Sequence, residues 1–431
     1  MRVKPTLLAI PGLLVLAACT SGCEGPGGQD LGVADAEAAD LPDAGGSAED
    51  GGSLTLDAGE PDGGSVDAQV PDPTGFVPSP AMATARSSHS ATLLADGRVW
   101  VVGGFGRSGR ALATTEIFDP QTGSWSPGPS LSEARANHVA VSLPSGQVLI
   151  AGGGLDNNVG APAGRGILAS AVLFEPNEGR LVPIAPLAEG RSHAAAILLD
   201  DGRVLVIGGS SGLHTTQPSF GDALGTSEIY DPAAGLWSPG PSLDIPRYLH
   251  SLLRLSDGEI AVIGGSDQNE AELLQVEIVQ PSDGSRRDGP NLSAGRVFHA
   301  TAPLASGRGL IVCGKQANIR FLNTSELLES DGARLVAATP LPGDSRTAPT
   351  LSPLPSGRAL LAGGLHGSTA GFYNLADAYL YDETVPSWTP IGPLAEARVL
   401  HSATVLEDGS VLICGGFGDT DTLSTCERST P

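Results

Sequence analysis

The hexapeptide VWVVGG at residues 99–104 is a run of four apolar residues that ends in two glycines. Similar hexapeptides recur six more times, at intervals of about fifty residues: VLIAGG at 148–153, VLVIGG at 204–209, IAVIGG at 260–265, LIVCGK at 310–315, ALLAGG at 359–364 and VLICGG at 411–416. A repeat of this length is typical of solenoids and propellers, in which each repeat is one supersecondary unit. The sequence therefore predicts seven such units.

The residues around each hexapeptide predict a four-stranded unit. In the first copy, an apolar strand HSATLL at 89–94 leads through the turn ADGR at 95–98 into VWVVGG, and glycine in such a turn supplies a positive φ at little cost. A variable loop follows, then a third strand, TEIFDP at 115–120, and a fourth, GSWSPG at 123–128. We name these strands a, b, c and d.

The glycine pair on strand b, the YDP-like end of strand c and a tryptophan on strand d resemble the kelch repeat, and the likeness covers residues 73–431. The resemblance implies an all-β fold, a seven-bladed kelch-type β-propeller with four-stranded blades, like the central propeller of galactose oxidases. Radial packing covers both faces of such sheets and protects their edges.

The strand count predicts how the ring closes. The last unit ends after a strand c, TCERST at 425–430, whereas GFVPSP at 75–80 resembles a strand d. We expect this N-terminal strand to complete the last blade, and we expect the propeller to be monomeric.

The first nineteen residues resemble the signal and lipobox of bacterial lipoproteins. Arg2 and Lys4 precede an apolar run at 7–18, and small residues precede Cys19. The resemblance implies removal of a signal peptide, residues 1–18, and lipid attachment at Cys19. It implies an exported protein anchored in the bacterial outer membrane, on the periplasmic side or at the cell surface. The alternative is an ordinary signal peptide with a coincidental cysteine.

Residues 19–72 form a predicted linker. From residue 24 onward it carries thirteen acidic residues and no lysine or arginine, and it holds few apolar residues. Such a segment buries too little apolar surface to offset the entropy of ordering, so we predict disorder. The whole chain has a formal net charge of −24, which argues against a nucleic-acid partner because phosphate contacts need a basic face.

Arginine and histidine recur just before strand a. The arginines are Arg86, Arg135, Arg191, Arg247, Arg296, Arg346 and Arg398, and the histidines of six units are His89, His138, His193, His250, His299 and His401. A metal site needs three or four ligands at one point, whereas a propeller spreads equivalent positions around a circle. We therefore predict a scaffold role, such as bonding a neighbouring blade's backbone, and expect no metal or other cofactor.

Function is expected where the repeat varies, in the b–c loops. Two pattern breaks favour blades five and six: Lys315 stands for the second glycine, and Pro349 stands where the other six units carry histidine. The predicted partner-binding residues are Lys315, Arg320, Phe321, His366, Phe372 and Tyr373. Other aromatic or basic side chains of these loops are Phe105, Arg107, His214, Phe220 and Phe417. The alternatives are that these side chains pack their own loops and that blade five is a degenerate repeat.

The cysteines of the propeller allow one disulfide. Cys313 and Cys414 are predicted at the same strand-b position of different blades, and so do not meet. Cys414 and Cys426 are predicted on adjacent strands of the last blade, where an exported protein permits a disulfide. The alternative is two buried free thiols.

The sequence favours an envelope-anchored binding or scaffold propeller that recognises a protein or a glycan through its b–c loops. The alternative is a carbohydrate-active kelch enzyme, similar to sugar mutarotases or to the copper-radical galactose oxidases. The latter need two tyrosines, two histidines, a cysteine crosslinked to one tyrosine, and a further domain that brings a ligand. Cys313 and Cys414 are predicted inside strands beside glycines, and no domain beyond the propeller is predicted, so we do not expect that activity. No Ser–His–Asp spacing or carboxylate pair stands out, so we predict no catalytic residues.

Overall fold

A computed structural model describes residues 71–155, 166–211, 222–316, 320–368 and 371–430. Within these ranges all regular secondary structure is β-strand, and no helix is long and apolar enough to cross a membrane. The predicted signal peptide, Cys19 and the linker up to residue 70 lie outside the described residues, as do His214 and Phe220.

The strands group into seven four-stranded sheets and two small hairpins. The first four blades are β2–β5 (Ser90–Leu93, Val99–Val102, Thr115–Asp119, Ser124–Pro127), β6–β9 (Val139–Ser142, Val148–Ala151, Ala171–Glu175, Arg180–Ile184), β10–β13 (Ala195–Leu198, Val204–Ile207, Ser227–Asp231, Leu236–Pro239) and β14–β17 (Ser251–Arg254, Ile260–Ile263, Val276–Val279, Arg286–Asp288).

The last three blades carry the hairpins and the ring closure. Blade five has β18 (Ala300–Pro303), β19 (Gly309–Val312), β22 (Ser325–Leu328) and β23 (Leu335–Ala338), with hairpin β20–β21 (Lys315–Gln316, Arg320–Phe321). Blade six has β24 (Thr350–Pro353), β25 (Ala359–Ala362), β28 (Ala378–Asp382) and β29 (Ser387–Pro390), with hairpin β26–β27 (Leu365–Ser368, Gly371–Asn374). Blade seven has β30 (Ser402–Val405), β31 (Val411–Cys414), β32 (Cys426–Thr430) and β1 (Gly75–Ser79).

The blades form a closed ring, as the sequence predicted. Each inner strand contacts the inner strands of both neighbouring blades, in the order β2, β6, β10, β14, β18, β24, β30 and back to β2. At every junction the N–H of the second glycine of one blade donates to the carbonyl of the next blade's repeated arginine. The bond from Gly416 N to Arg86 O, 2.8 Å, joins blade seven to blade one.

The predicted N-terminal closure is confirmed. β1 pairs antiparallel with β32 from Gly75 opposite Thr430 to Ser79 opposite Cys426. Phe76 packs against the buried cluster of blades six and seven. Asp72, at the end of the predicted linker, contacts Ser356 and pairs with Arg358, so contacts with the blades begin one residue before the expected domain start.

The core lies between blades, because strand b of every blade is buried throughout. Trp100 of blade one stacks on Phe174 of blade two with ring centroids 4.1 Å apart. The strand-d tryptophans link blades by donating to a carbonyl of the preceding blade's end, as Trp125 Nε1 does to Pro80 O at 2.8 Å. Trp237 and Trp388 make the same bond to Ala185 and Thr339.

The repeated arginines are buried, and each holds the segment before strand a to its own blade. Each Nη1 donates to the carbonyl of the residue seventeen positions later, at the end of its own blade's strand b, as Arg247 does to Gly264 at 3.0 Å. In five blades Nη2 also pairs with a strand-c glutamate: Arg86–Glu116, Arg191–Glu228, Arg247–Glu277, Arg296–Glu326 and Arg398–Glu427. The guanidinium thus bonds its own blade, and the neighbouring blade is reached through the arginine's main-chain carbonyl.

The register of blade five differs from the sequence prediction. Arg296 Nη1 donates to Cys313 O just as Arg398 Nη1 donates to Gly415 O, so Cys313 occupies the position of the first glycine. The prediction that Lys315 replaces the second glycine is therefore wrong, since Gly314 holds that position. The prediction that Cys313 and Cys414 are equivalent is wrong by one residue. The error arose because Cys313 was aligned with Cys414 on residue identity alone, which shifted the repeat of blade five by one residue.

The histidine pattern also needs correction, because five blades and not six share it. His193 lies two residues after its arginine with a φ of 53°, whereas the other five lie three residues after theirs, a position that Ala194 fills in blade three. Four of the five bond a hydroxyl of the preceding blade's inner strand. These pairs are His89–Ser402, His138–Ser90, His299–Ser251 and His401–Thr350.

Burial keeps these histidines neutral. Desolvation lowers the pKa of His138, His250, His299 and His401 to about 3, and that of His193 to about 4. Their imidazoles also crowd the preceding blade: a Cβ added at Gly264 would lie 3.0 Å from His299 Cε1. At the junction of blades five and six Pro349 carries no imidazole, so the side chain of Cys313 does not meet that neighbour. Of the two predicted pattern breaks, the one at Lys315 is removed by the corrected register, and the one at Pro349 coincides with Cys313 in place of a first glycine.

The last blade contains a disulfide. Cys414 and Cys426 lie opposite each other on β31 and β32, and their sulfur atoms are bonded at 2.08 Å. The bond closes the base of the b–c loop 415–425. Cys313 is a buried free thiol, and desolvation raises its pKa to about 12.

Candidate functional site

The b–c loops and the d–a connections lie at the same end of the blades, which we call the b–c face. On blades five and six the b–c loops extend above the repeat as the hairpins β20–β21 and β26–β27. β21 contacts β26, so the two hairpins form one continuous wall.

Four of the predicted partner-binding residues form an aromatic cluster on this wall. The ring centroids of Phe321 and Phe372 are 6.1 Å apart, those of Phe321 and His366 are 6.3 Å apart, and those of His366 and Tyr373 are 4.8 Å apart. Gly367 makes the packing possible, because a Cβ there would lie 2.6 Å from the Phe372 ring. Below the cluster, Leu365, Val399 and Phe417 are buried and anchor it to blade seven.

The members of the predicted set differ in accessibility. Phe321 is only 7% exposed and supports the wall from within. His366 and Phe372 are half-buried, and His366 Nδ1 bonds Ser345 O at 2.7 Å. Tyr373 is 46% exposed, and its hydroxyl donates to Asp344 Oδ2 at 2.9 Å, a bond that raises the pKa of the phenol.

The two basic members lie on either strand of the first hairpin. Lys315 Nζ pairs with Glu272 of blade four at 3.2 Å, and the lysine side chain is 17% exposed. This ion pair ties the b–c loops of blades four and five together. Arg320 is exposed at the far side of the hairpin. Arg320 and Tyr373 are therefore the members of the set that offer the most surface to a partner.

A second element of this face was missed by sequence reasoning. In each blade the residue two positions after the repeated arginine is a non-glycine residue in the left-handed region: Ser88, Asn137, His193, Leu249, Phe298, Ala348 and Leu400, with φ from 50° to 57°. We call these seven residues the mouth ring, because each lies two positions before the first residue of its inner strand and all lie at the b–c end of the central channel.

Main-chain hydrogen bonds join five of the seven neighbouring pairs of the mouth ring. Ser88 N donates to Leu400 O at 3.0 Å, Asn137 N donates to Ser88 O at 3.2 Å, and Ala348 N donates to Phe298 O at 2.8 Å. All seven residues are half-buried. The ring is polarised: blades one to three supply Ser88, Asn137 and His193, whereas blades four to seven supply Leu249, Phe298, Ala348 and Leu400. We call the second group the apolar arc.

The opposite face, formed by a–b and c–d turns, has two shallow clefts that the sequence did not predict. One cleft of about 160 Å³ lies between blades seven and one and is lined by Asp96, Asp119 and Glu407 among others. The other, of about 410 Å³, lies between blades one and two beside Gln147 and Glu175. Both are lined by turn residues of the repeated scaffold and lack aromatic side chains.

Within the described ranges, no group of three or more histidine, cysteine, aspartate or glutamate side chains is placed to hold a metal ion.

Comparison with known proteins agrees with the fold. A family model for the kelch motif matches residues 86–132 and 191–243. Over 98 residues the chain is 33% identical to Kelch-like protein 33 of Homo sapiens, a match that covers 23% of this chain and 16% of that protein. A fungal alcohol oxidase of the AA5 family, solved in complex with copper, superposes with a TM-score of 0.64 over 84% of this chain and 76% of its own, at 16% identity. That identity shows the fold alone. The chain therefore carries kelch motifs on a seven-bladed β-propeller.

Proposed function

We propose that this kelch-motif propeller is exported, is lipid-anchored to the bacterial outer membrane through Cys19, and binds a protein partner through its b–c face. Kelch motifs on a propeller are consistent with a protein-binding or scaffold role. The observation that carries the choice of face is the aromatic wall, since blades five and six alone among the described b–c loops build hairpins that rise from the scaffold. A glycan is the alternative ligand for the same surface.

The chemistry of the wall supports a macromolecular partner. Exposed tyrosine and arginine beside a rigid aromatic base are the residue types that dominate the energy of protein interfaces. Because Phe321 and the ion pair of Lys315 with Glu272 hold the hairpins in place, the surface is preorganised and loses little entropy when it binds. A shallow surface of this kind suits a protein better than a small buried substrate.

The binding proposal is tested by variants of the two faces. A partner is captured by photo-crosslinking in the envelope fraction and its affinity is measured by biolayer interferometry. We expect the double variant Arg320→Ser with Tyr373→Ser to bind at least about tenfold more weakly, since each side chain contributes on the order of 1 kcal/mol or more. The matched control on the opposite face, Gln147→Ser with Asn177→Ser, should bind like the wild type. Weakening by the control variant alone would refute the proposed face.

The anchor is tested separately. Cys19→Ser should abolish incorporation of labelled palmitate and release the protein from the membrane fraction, and globomycin should cause the wild-type precursor to accumulate. A wild-type protein that is unacylated in mass spectra of the membrane fraction would refute the lipid anchor and leave the binding proposal standing.

A further inference from the structure

We propose that the apolar arc of the mouth ring receives an aromatic or aliphatic side chain from a basic peptide segment of the partner. This inference rests on the proposed function and specifies the chemistry of its ligand. It makes the channel mouth, together with the aromatic wall beside it, the specificity-determining part of the b–c face.

Backbone strain at the mouth ring points to a use for its side chains. Left-handed φ values are unfavourable for residues with a Cβ, and glycine would relieve the cost. Asparagine and histidine tolerate this region, but bulky apolar residues rarely occupy it. Leu249, Phe298 and Leu400 nevertheless have φ values of 57°, 51° and 56°. The left-handed turn occurs in every blade and so belongs to the repeat, but only blades four to seven place an apolar side chain on it, and it is this run of four neighbouring apolar residues that favours a binding role.

Packing turns the apolar arc and the aromatic wall into one surface. Phe298, Ala348, Leu400 and Phe372 pack as half-buried residues around a fully buried base that includes Phe321 and Leu365. Three of the four arc residues are therefore held by this cluster, while Leu249 lies outside it. All four are half-buried, so part of each side chain remains accessible. A ligand side chain placed there would complete the burial of an apolar cluster that already exists.

The charges near the apolar arc determine which residues are favoured on either side of the ligand's apolar side chain. Asp267 and Glu270 on blade four, Asp344 before blade six and Asp419 on blade seven lie in the b–c loops and d–a connections of the arc's own blades, and none of these carboxylates has an arginine or lysine partner among the described residues. Two further carboxylates are already paired, Glu272 with Lys315 and Asp421 with Arg107. Among the described arginine and lysine side chains in the b–c loops of blades five and six, only Arg320 lacks an acidic partner. The local excess of negative charge favours a ligand with lysine or arginine beside its apolar residue.

The test uses defined peptides and the full-length lipoprotein in detergent. Three fluorescein-labelled nonapeptides are compared by fluorescence anisotropy: Gly-Ser-Arg-Arg-Phe-Arg-Arg-Ser-Gly, the same peptide with serine in place of phenylalanine, and the same peptide with glutamate in place of every arginine. The serine peptide has the same charge as the first, so it corrects for attraction to the acidic linker. We expect the phenylalanine peptide to bind about tenfold or more tightly than the serine peptide, and the glutamate peptide not to bind.

Matched variants assign the effect to the arc. In Leu249→Asn with Leu400→Asn the left-handed backbone is kept, because asparagine tolerates it, and the difference between the phenylalanine and serine peptides should fall below about twofold. Ser88→Asn changes the polar side of the same ring and should leave the difference intact. Equal binding of the phenylalanine and serine peptides, or an equal loss in Ser88→Asn, would overturn the inference. So would binding on a glycan array without any peptide preference. If the captured partner still requires Arg320 and Tyr373 but ignores the arc variant, the proposed function stands and this inference fails.

Discussion

Replacing Glu277 with leucine tests whether the buried ion pair of Arg247 and Glu277 holds the segment before strand a to blade four. Glu277 accepts hydrogen bonds from Arg247 Nη2 at 2.5 Å and from the main-chain nitrogens of Asp244 and Ile245 at 2.7 and 3.1 Å. Arg247 is completely buried. The substitution therefore leaves a buried guanidinium without its counter-ion and two main-chain N–H groups without their acceptor.

The expected cost is large for a single substitution. Removing one partner of a buried ion pair destabilises proteins by about 3–5 kcal/mol. The two N–H groups favour the upper end, since each unsatisfied group costs about 1 kcal/mol or more. Desolvation lowers the pKa of Arg247, and the charge and hydrogen bond of Glu277 oppose that shift, so the variant also loses the group that favours the charged guanidinium. The free energy of unfolding would be measured by urea titration, after reversibility is established.

Two matched variants make the result interpretable. Glu259→Leu removes a more exposed ion pair of the same blade, with Arg287, and should cost about 1 kcal/mol or less. Arg247→Met with Glu277→Leu removes both buried charges and should be less damaging than Glu277→Leu alone. Blade two has buried Val172 in place of this glutamate but keeps its arginine, and Arg135 Nη2 there bonds Ser170 and pairs with Glu133 instead. A cost for Glu277→Leu no greater than that for Glu259→Leu would refute this role of the ion pair.

Three further predictions follow from the same contacts. Deleting residues 73–80 should remove the β1–β32 pairing and lower the melting temperature by many degrees or cause aggregation, whereas deleting residues 24–70 should leave it almost unchanged; equal effects would contradict the closure. The free energy of unfolding should fall as the pH drops below about 6.5, because the histidines of the unfolded chain take up protons that the buried ones, such as His138 with a pKa of about 3, do not. His138→Gln should reduce the slope of this free energy against pH by up to about 1.4 kcal/mol per pH unit, and an unchanged slope would speak against a buried neutral imidazole. Cys414→Ser with Cys426→Ser should cost about 2–3 kcal/mol by loop entropy, and a reductant should destabilise the wild type but not this variant; insensitivity of the wild type to reductant would show that the disulfide contributes nothing.

The strand pattern predicted the fold because each blade obeys local rules. Turn glycines, apolar strand-b runs and the strand-d tryptophans are short-range signals, and the pairing of β1 with β32 followed from counting strands. The register at Cys313 was mispredicted because Cys313 was aligned with Cys414 on residue identity. The distance in sequence between the repeated arginine and the end of strand b was not used. That spacing, seventeen residues in every blade, was available in the sequence and would have given the right alignment.

The binding surface was only partly predictable. Its loops were identified because they vary in length and composition, but the ion pair of Lys315 with Glu272 joins loops of different blades and depends on the ring geometry. The mouth ring is harder still to predict, because each blade contributes one residue and consecutive members are about fifty positions apart in sequence. Ser88 and Leu400 are in hydrogen-bond contact only because the ring closes.

Hydrogen–deuterium exchange of the complex with the captured partner tests the central claim, recognition through the b–c face. We predict slower exchange in peptides that cover β20–β21, β26–β27 and the segment around Phe298 and Leu400, with no change in the a–b turns such as residues 144–147. Protection confined to the a–b and c–d turns, with the hairpins exchanging as they do in the free protein, would contradict the account.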